Sequence, residues 1–113
     1  MLPTRHRMRT SAQFSTTVRS GARSGRRNVV VSVRVGTGEP SRVGFVVSKA
    51  VGNAVIRNRV KRRLRELAAE TVRQQPHGRD VVVRALPPAA SASWEELGSD
   101  YRAAFEAAVR RLR

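Results

Sequence analysis

The sequence predicts one small α+β domain, and two kinds of apolar periodicity support that fold class. Apolar residues alternate with small or polar ones over 29–35 and 42–48, which is typical of β-strands. From Ile56 onward, and again from Trp94 onward, apolar residues recur at steps of three and four, which is typical of amphipathic helices. The 113 residues suffice for one hydrophobic core, so we expect a single domain over 1–113.

The N-terminal part of the chain contains one predicted short helix between two irregular basic segments. Residues 1–9 show no periodicity and carry three arginines, and we expect them to form a flexible arm. Thr10 or Ser11 can cap a helix that ends at Gly21. Residues 21–27 are rich in glycine and arginine, which favours a flexible basic loop.

The two alternating runs predict neighbouring strands. In the run 29–35 the odd-numbered valines form a face for the core, and the odd-numbered positions of 42–48 do the same. The connection at 36–40 is a short turn, which favours an antiparallel pair. The opposite face of both strands carries small and polar residues, which leaves room for a ligand on the sheet. In the first run that face consists of Val30, Ser32 and Arg34.

A long helix is predicted from about Ala54 to Arg73, and the breakers Pro76-His77-Gly78 end it. The apolar residues within 80–85 then predict a third strand. A helix between two strands favours a parallel crossover.

The last helix is predicted to begin after a proline-containing linker at 87–90. Ser93 and Glu96 have the spacing of a capping box, which opens a helix. We expect the apolar stripe of this helix in the core, and it consists of Trp94, Leu97, Tyr101, Phe105, Ala108 and Leu112.

The formal net charge of +15 lies entirely in the first part of the chain. Residues 1–65 contain sixteen of the 23 Lys and Arg residues and a single acid, Glu39. Residues 66–113 contain seven basic and seven acidic residues, which cancel. Such an asymmetric distribution is typical of proteins that bind nucleic acid.

The centre of this charge is the stretch Lys49–Arg65, which holds seven basic residues and no acid. The apolar stripe of the long helix faces one way, and the opposite face consists of Asn58, Lys61, Arg62 and Arg65. Like charges at this spacing destabilise a helix, so we expect an anionic partner. A polyphosphate backbone is the partner that fits best.

Residues suited to catalysis are scarce, and this favours a binding module over a self-sufficient enzyme. The chain has no cysteine, and its eight acids form no cluster of the kind that a two-metal nuclease needs. His6 and His77 fall in an irregular segment and in a turn, where surface histidines are common. Two alternatives stay open: a ribosomal or other structural RNA-binding protein, and a metal-dependent nuclease that acts alone.

The sequence also indicates a compartment. No apolar run is long enough to span a membrane, and the N-terminus lacks the apolar stretch of a secretory signal. There is no cysteine for disulfides, so we expect a cytoplasmic protein without a membrane partner.

The stretch at the start of the long helix carries a resemblance to a known family. The stretch Ser48-Lys49, then Gly52-Asn53-Ala54-Val55, then Arg57-Asn58-Arg59-Val60-Lys61-Arg62 is similar to the pattern of the bacterial ribonuclease P protein subunit. The order of the remaining elements follows that family as well, so the resemblance covers nearly all of the chain. It implies a two-layer αβββαβα sandwich like the second domain of ribosomal protein S5. Its small mixed sheet would contain an unusual left-handed βαβ crossover.

The resemblance implies that the chain is the protein subunit of an endoribonuclease that removes the 5′ leader of precursor tRNA. In that enzyme the RNA subunit performs the hydrolysis with Mg²⁺ held mainly by the RNA subunit and the substrate. No catalytic residue, no metal ligand and no organic cofactor are therefore expected in this chain. The implied partners are the ribonuclease P RNA and precursor tRNA, bound by a protein monomer in a 1:1 complex with the RNA.

The resemblance also implies which residues form the sites. The residues expected to contact RNA are Arg57, Asn58, Arg59, Lys61, Arg62 and Arg65 on the helix, with Ser48, Lys49 and Asn53 before it. The residues expected to line a cleft for the leader are Phe14, Val18, Val30, Ser32 and Arg34. Two positions depart from the family pattern. Val18 stands where an aromatic residue is often found, and Leu86-Pro87 occupy the region of an arginine, for which Arg84 is the candidate replacement.

Overall fold

The computed structural model describes residues 2–112, and of residues 37 and 38 only the backbone. Within that range, three α-helices and four β-strands follow one another in the order αβββαβα. The helices are α1 (Ser11–Ser20), α2 (Ala54–Gln74) and α3 (Trp94–Arg111). The strands are β1 (Ala22–Gly25), β2 (Val29–Pro40), β3 (Arg42–Val46) and β4 (His77–Ala85). Short 3₁₀ turns at Thr4–His6 and Pro87–Ala90 precede α1 and α3. The predicted α+β fold class is confirmed.

The strands form one mixed sheet in the order β1-β2-β4-β3. β2 pairs antiparallel with both β1 and β4, and β4 pairs parallel with β3. The predicted parallel crossover through α2 is therefore confirmed, and its hand stays a prediction. The predicted antiparallel pair of β2 and β3 is wrong, because β4 lies between them. The residues Val81–Val83 of β4 are all buried, and a run that is apolar on both faces belongs in a central strand.

The segment 21–27, predicted as a flexible loop, contains the edge strand β1. Its residues pair with Val30–Val33 of β2, and Arg23 lies opposite Ser32. Four residues are too few to show an apolar alternation, and the strand is held by backbone hydrogen bonds to β2. The prediction for this segment is therefore wrong.

The hydrophobic core lies between the sheet and the helices α2 and α3. Val29, Val31 and Val33 of β2 are fully buried, as their alternation predicts. Val35 is 61% exposed, which corrects the prediction for that position, since the pairing of β1 with β2 stops at Val33. From α2 the core takes Val60, Leu64, Leu67, Ala68 and Val72. The other face of the sheet is crossed by α1, whose Thr17 is buried.

The capping box at the start of α3 is confirmed. The Ser93 Oγ accepts a hydrogen bond from the Glu96 N–H at 3.1 Å, and the Glu96 carboxylate accepts one from the Ser93 N–H at 2.8 Å. The hydrogen bonds with the backbone and then the side chain of Ser93 hold the pKa of Glu96 below its ordinary value. Trp94, predicted in the core, is 40% exposed because it lies at the very first position of the helix.

The N-terminal segment is packed on the edge of the sheet rather than forming a free arm. Leu2 is fully buried and Met8 nearly so. The Met8 N–H donates to the Val43 carbonyl at 3.0 Å, which covers the outer edge of β3. His6, expected at the surface, is buried with its Nδ1 2.6 Å from the Ser41 carbonyl oxygen. The predicted arm is therefore wrong for residues 2–9, and Met1 lies outside the described residues.

Across the described range, no helix combines the length and the apolar character that a bilayer crossing requires.

Candidate nucleic-acid interface

The loop between β3 and α2 fixes where the cationic helix begins. The Asn53 side-chain oxygen accepts a hydrogen bond from the Ile56 N–H at 3.0 Å and caps α2. A Cβ on Gly52 would lie 2.9 Å from the Ile56 side chain, so only glycine lets the loop approach the helix this closely. Asn53 is thus occupied as the cap, while Ser48 and Lys49 are exposed on the turn before it.

The helix α2 presents a cationic stripe, defined here as Asn58, Lys61, Arg62 and Arg65. Asn58 and Arg62 are exposed, whereas Lys61 and Arg65 are half-buried toward α1. Within residues 2–112, none of the basic side chains of α2 forms a salt bridge with an acid. No ion pair within the described part of the chain therefore relieves the repulsion along the stripe, and a partner with a high density of negative charge suits it.

Arg59 and Arg63 lie on the side of α2 that faces the start of α3. Arg59 Nη2 donates to the Ala90 carbonyl at 2.7 Å, and Arg63 Nη1 donates to the Ala92 carbonyl at 3.1 Å. These bonds hold the connection before α3 against α2, a structural role that the sequence does not indicate for Arg59. A guanidinium has five N–H groups, so both side chains retain donors for another partner. Arg57 is half-buried near the start of the helix.

Phe14 lies where α1 approaches α2. Its ring lies over Gly44 of β3, and a Cβ at that glycine would overlap Phe14 Cζ, so no larger residue fits beneath the ring. Beside the ring, Lys61, Arg65 and Arg7 border a recess of about 160 Å³. A half-buried aromatic ring next to several cations is a suitable platform for an unpaired base.

A cleft of about 270 Å³ opens between α1 and the sheet face that carries the even-numbered residues of β2. Val18 of α1, 42% exposed, borders the cleft together with the exposed Arg23 and Arg84. The floor consists of Val30, Ser32, Val46 and Val82. Three of the residues predicted to line a cleft are thus brought together here. An apolar floor with cations at the rim is suited to single-stranded nucleic acid.

Arg34 does not join the cleft, although it lies on the same face of β2. Its Nη1 is 3.2 Å from Asp80 Oδ2, and Arg42 on β3 binds the same carboxylate at 3.2 Å. The carboxylate of Asp80 is almost fully buried between the two guanidinium groups. The prediction that Arg34 lines the cleft is therefore wrong in its placement, because an acid on the neighbouring strand binds this side chain.

Arg23 is the cleft residue that the sequence reasoning missed. It falls in the segment predicted as a loop, and only the pairing of β1 with β2 brings it to the cleft. Arg84 lies in register with Val30 on one side and Val46 on the other, so it stands in the row that crosses the cleft floor. The candidate replacement for the family's arginine is thus placed at the cleft.

The acids and histidines of the described residues are the candidates for a hydrolytic site. Across 2–112, no group of three or more His, Asp or Glu side chains is placed to hold a metal ion. His6 is bonded and buried, so it is not accessible to a substrate as a general base.

Fold and site together define a class: a small, basic α+β protein with a cationic helix beside a partly apolar cleft. The family model described as Ribonuclease P matches residues 2–109. The chain therefore belongs to the ribonuclease P protein family, the protein subunits of the endoribonuclease of tRNA 5′-end maturation. That enzyme is a Mg²⁺-dependent ribonucleoprotein in which the protein works with ribonuclease P RNA. The family match sets aside the alternative of a ribosomal protein.

Relatives and solved structures agree with this assignment. The ribonuclease P protein component of Kocuria rhizophila is 80% identical over 111 residues, which cover 98% of each chain. That of Pseudarthrobacter chlorophenolicus is 62% identical and covers 99% of this chain and 83% of its own. The Staphylococcus aureus RNase P protein superposes with a TM-score of 0.80 at 27% identity over 91% of this chain and 94% of its own. The Thermotoga maritima protein has a TM-score of 0.75 at 25% identity over 88% and 94%.

Proposed function

We propose that the chain, as a monomer in a 1:1 complex, binds ribonuclease P RNA through the cationic stripe and the 5′ leader of precursor tRNA through the cleft. The observation that carries this proposal is the stripe, since none of its cations forms a salt bridge with an acid among the described residues. An RNA backbone carries one phosphate per nucleotide, and its neutralisation by lysine and arginine releases counterions.

The side chains of the stripe suit different parts of an RNA. Lys61, Arg62 and Arg65 are cations suited to phosphate oxygens, and the Asn58 amide can both donate to and accept from a base or ribose. The exposed turn at Ser48-Lys49 extends this surface toward the end of β3. Asn53 acts mainly by capping α2, which fixes the direction in which the stripe points.

The cleft suits a single RNA strand that lies across the sheet. Arg23 and Arg84 at its rim can each bind a phosphate, while the apolar floor contacts sugar and base surfaces. An open groove along α1 continues from Val18 to Phe14, so the strand would pass the ring before it reaches α2. Phe14 is the aromatic side chain along this path.

We assign the Mg²⁺ ions and the hydrolysis to the RNA subunit and its substrate. Phosphate oxygens are hard ligands of the kind that Mg²⁺ prefers, and two RNAs that share a site repel one another. The protein contributes positive charge between them, which lowers the Mg²⁺ concentration at which the complex forms.

Reconstitution with a bacterial ribonuclease P RNA and precursor tRNA at low Mg²⁺ tests the proposal. We expect faster leader removal with the protein than with the RNA alone, and no cleavage by the protein alone. Cleavage without RNA that is lost when an acid or a histidine is replaced would instead establish a nuclease that acts alone.

A further inference from the structure

We propose that Trp94 is a stacking platform for an unpaired base of the ribonuclease P RNA, on the side of α2 opposite Phe14. The inference rests on the proposed function, because the same RNA supplies the base. It extends the proposed RNA-binding surface of the protein beyond the cationic stripe to the start of α3. The start of α3 belongs neither to the residues that carry the family resemblance nor to the cleft.

The exposure of Trp94 is the first observation. It is the single tryptophan of the chain, and 40% of it is exposed. It shares a helix face with Leu97 and Tyr101, which are fully buried, yet it lies outside the hydrophobic core. An aromatic ring left accessible at the end of a buried stripe offers a large flat surface to a partner.

The packing of the two long helices shows what lies next to this ring. The Tyr101 hydroxyl is 2.8 Å from Thr71 Oγ1, and a Cβ on Gly98 would lie 3.5 Å from Leu67 Cδ2. From the Leu67–Gly98 pair to the Thr71–Tyr101 pair, the residue number rises on both helices. The helices α2 and α3 therefore run side by side in the same direction. The residue one turn before Gly98 on α3 therefore lies beside the residue one turn before Leu67 on α2.

Those two residues are Trp94 and Arg63. Arg63 donates to the carbonyl of Ala92, two positions before the tryptophan, and Arg59 donates to the carbonyl of Ala90. Two guanidinium groups are thus fixed at the segment that immediately precedes Trp94 in the chain. Each of them retains N–H groups for a phosphate. Fixed cations beside an exposed ring are the combination by which proteins hold unpaired nucleotides.

The acids near Trp94 favour a base over a phosphate as the group that meets the ring. Glu95 and Glu96 follow it on the first turn of α3, and both are exposed. Their charge repels a phosphate at that point, whereas a stacked base needs no phosphate contact there. A second copy of this chain is disfavoured as the occupant, because two molecules of net charge +15 repel each other.

Fluorescence tests the contact directly, because all tryptophan emission comes from Trp94. The full chain is titrated with ribonuclease P RNA, with precursor tRNA and with mature tRNA. We expect the ribonuclease P RNA to quench the emission and to protect the ring from acrylamide, and both tRNAs to leave it nearly unchanged at equal occupancy. Equal quenching by all three RNAs, or binding of ribonuclease P RNA without any change, overturns the proposal.

Variants measure what the contact contributes. We expect Trp94→Ala to weaken the affinity for ribonuclease P RNA about 5- to 10-fold, and Trp94→Phe to retain most of it. Because no phosphate contact is removed, the salt dependence of binding stays that of the unchanged protein. Val35→Ala, which truncates another exposed apolar residue, is the matched control, and thermal unfolding checks each fold. An equal loss in Trp94→Phe and Trp94→Ala contradicts stacking.

Arg62→Ala separates this inference from the function on which it rests. If Arg62→Ala weakens binding of the RNA and Trp94→Ala does not, the proposed role of the cationic stripe is supported and the proposed role of Trp94 is wrong. If the unchanged protein does not bind ribonuclease P RNA, the proposed function fails as well. A shift of the emission with protein concentration in the absence of RNA indicates self-association through the ring, and that result also overturns the proposal.

Discussion

Tyr101 is a buried side chain whose ionisation is coupled to the fold. The residue is 1% exposed, and its ring stacks on that of Phe105 with centroids 6.2 Å apart. Burial raises the pKa of Tyr101 to about 12; the hydrogen bond with Thr71 acts against this, and the charge of Glu70 adds to it. The folded chain therefore keeps the phenol neutral at a pH where an unfolded chain has lost the proton.

This difference predicts a loss of stability in alkaline solution. The contribution of Tyr101 is fully present below the unfolded pKa of about 10 and is lost as the pH rises toward the folded pKa of about 12. We expect the free energy of unfolding to fall by about 1 kcal/mol between roughly pH 9 and pH 11 from this group alone. Urea unfolding at the two pH values measures the fall.

Tyr101→Phe is the matched variant for that measurement. It keeps the ring and lacks the ionisable hydroxyl, so its stability should change less over the same range. An equal fall in both proteins would show that another group is responsible. Because the chain contains a single tyrosine, the ultraviolet absorbance of the phenolate follows the same ionisation independently.

At the level of single residues, the sequence predicts the charge and exposure of a side chain better than it predicts the residue to which that side chain bonds. The position of Arg62 on an exposed helix face follows from spacing alone, and the structure agrees. The partner of Arg34 does not follow from spacing, because Asp80 is 46 positions away and the order of strands decides whether they meet. Asn53 and Arg59 likewise make contacts that residue type and position leave open.

At the level of elements, α2 separates two functions on its two faces. Leu64 is fully buried in the core, whereas Arg62, only two positions away, is exposed on the stripe. The two positions therefore form a pair in which neighbouring substitutions have different consequences.

We expect Leu64→Ala to lower the free energy of unfolding by about 2–5 kcal/mol, because it leaves a cavity in the core. We expect Arg62→Ala to leave stability nearly unchanged and to reduce the slope of log affinity against log salt by somewhat under about one unit. Urea unfolding and RNA binding at several salt concentrations measure the two effects. If Arg62→Ala unfolds the protein and leaves the salt slope unchanged, the assignment of the two faces is wrong.

The sequence also predicted some elements and missed others, for a physical reason. The three α-helices carry their own signals, since Thr10, Asn53 and Ser93 cap them and their apolar residues recur at a fixed spacing. The strand β1 and the packed N-terminal segment carry no such signal. Both are held by backbone bonds to strands elsewhere in the chain, and side-chain patterns do not record these bonds.

At the level of the whole molecule, the cationic stripe and the cleft meet at Phe14. Its ring borders the recess that Lys61 and Arg65 share, and it also borders the groove that leads to Val18 and the cleft. One continuous surface therefore connects the proposed site for the RNA subunit with the proposed site for the leader. The asymmetric charge of the sequence predicted such a surface, whereas the order of the strands that shapes it was not predictable from local pattern.

This arrangement predicts that the leader binds to the part of the surface that contains the cleft. We expect Phe14→Ala to weaken affinity for precursor tRNA more than for mature tRNA, and Val18→Phe to strengthen it by adding a ring. Binding of the two tRNAs to the reconstituted complex measures the difference.

Arg84→Ala separates the contribution of charge from that of stacking in the same cleft, because it removes an exposed cation and leaves both α1 positions intact. Since Phe14 also packs on Gly44, thermal unfolding accompanies the Phe14 variant. Equal effects on precursor and mature tRNA would mean that this face does not hold the leader.

The strand that completes the sheet is also the last one to be synthesised. β2 and β3 do not pair with each other, and both require β4, which spans His77–Ala85. The whole basic part of the chain, residues 1–65, is therefore synthesised before this central strand exists. Folding has to wait for that strand, as expected for a domain dominated by contacts between distant segments. During each round of synthesis, the unfolded basic segment is thus present beside the ribosome's own RNA. It can contact that RNA electrostatically before the domain has folded.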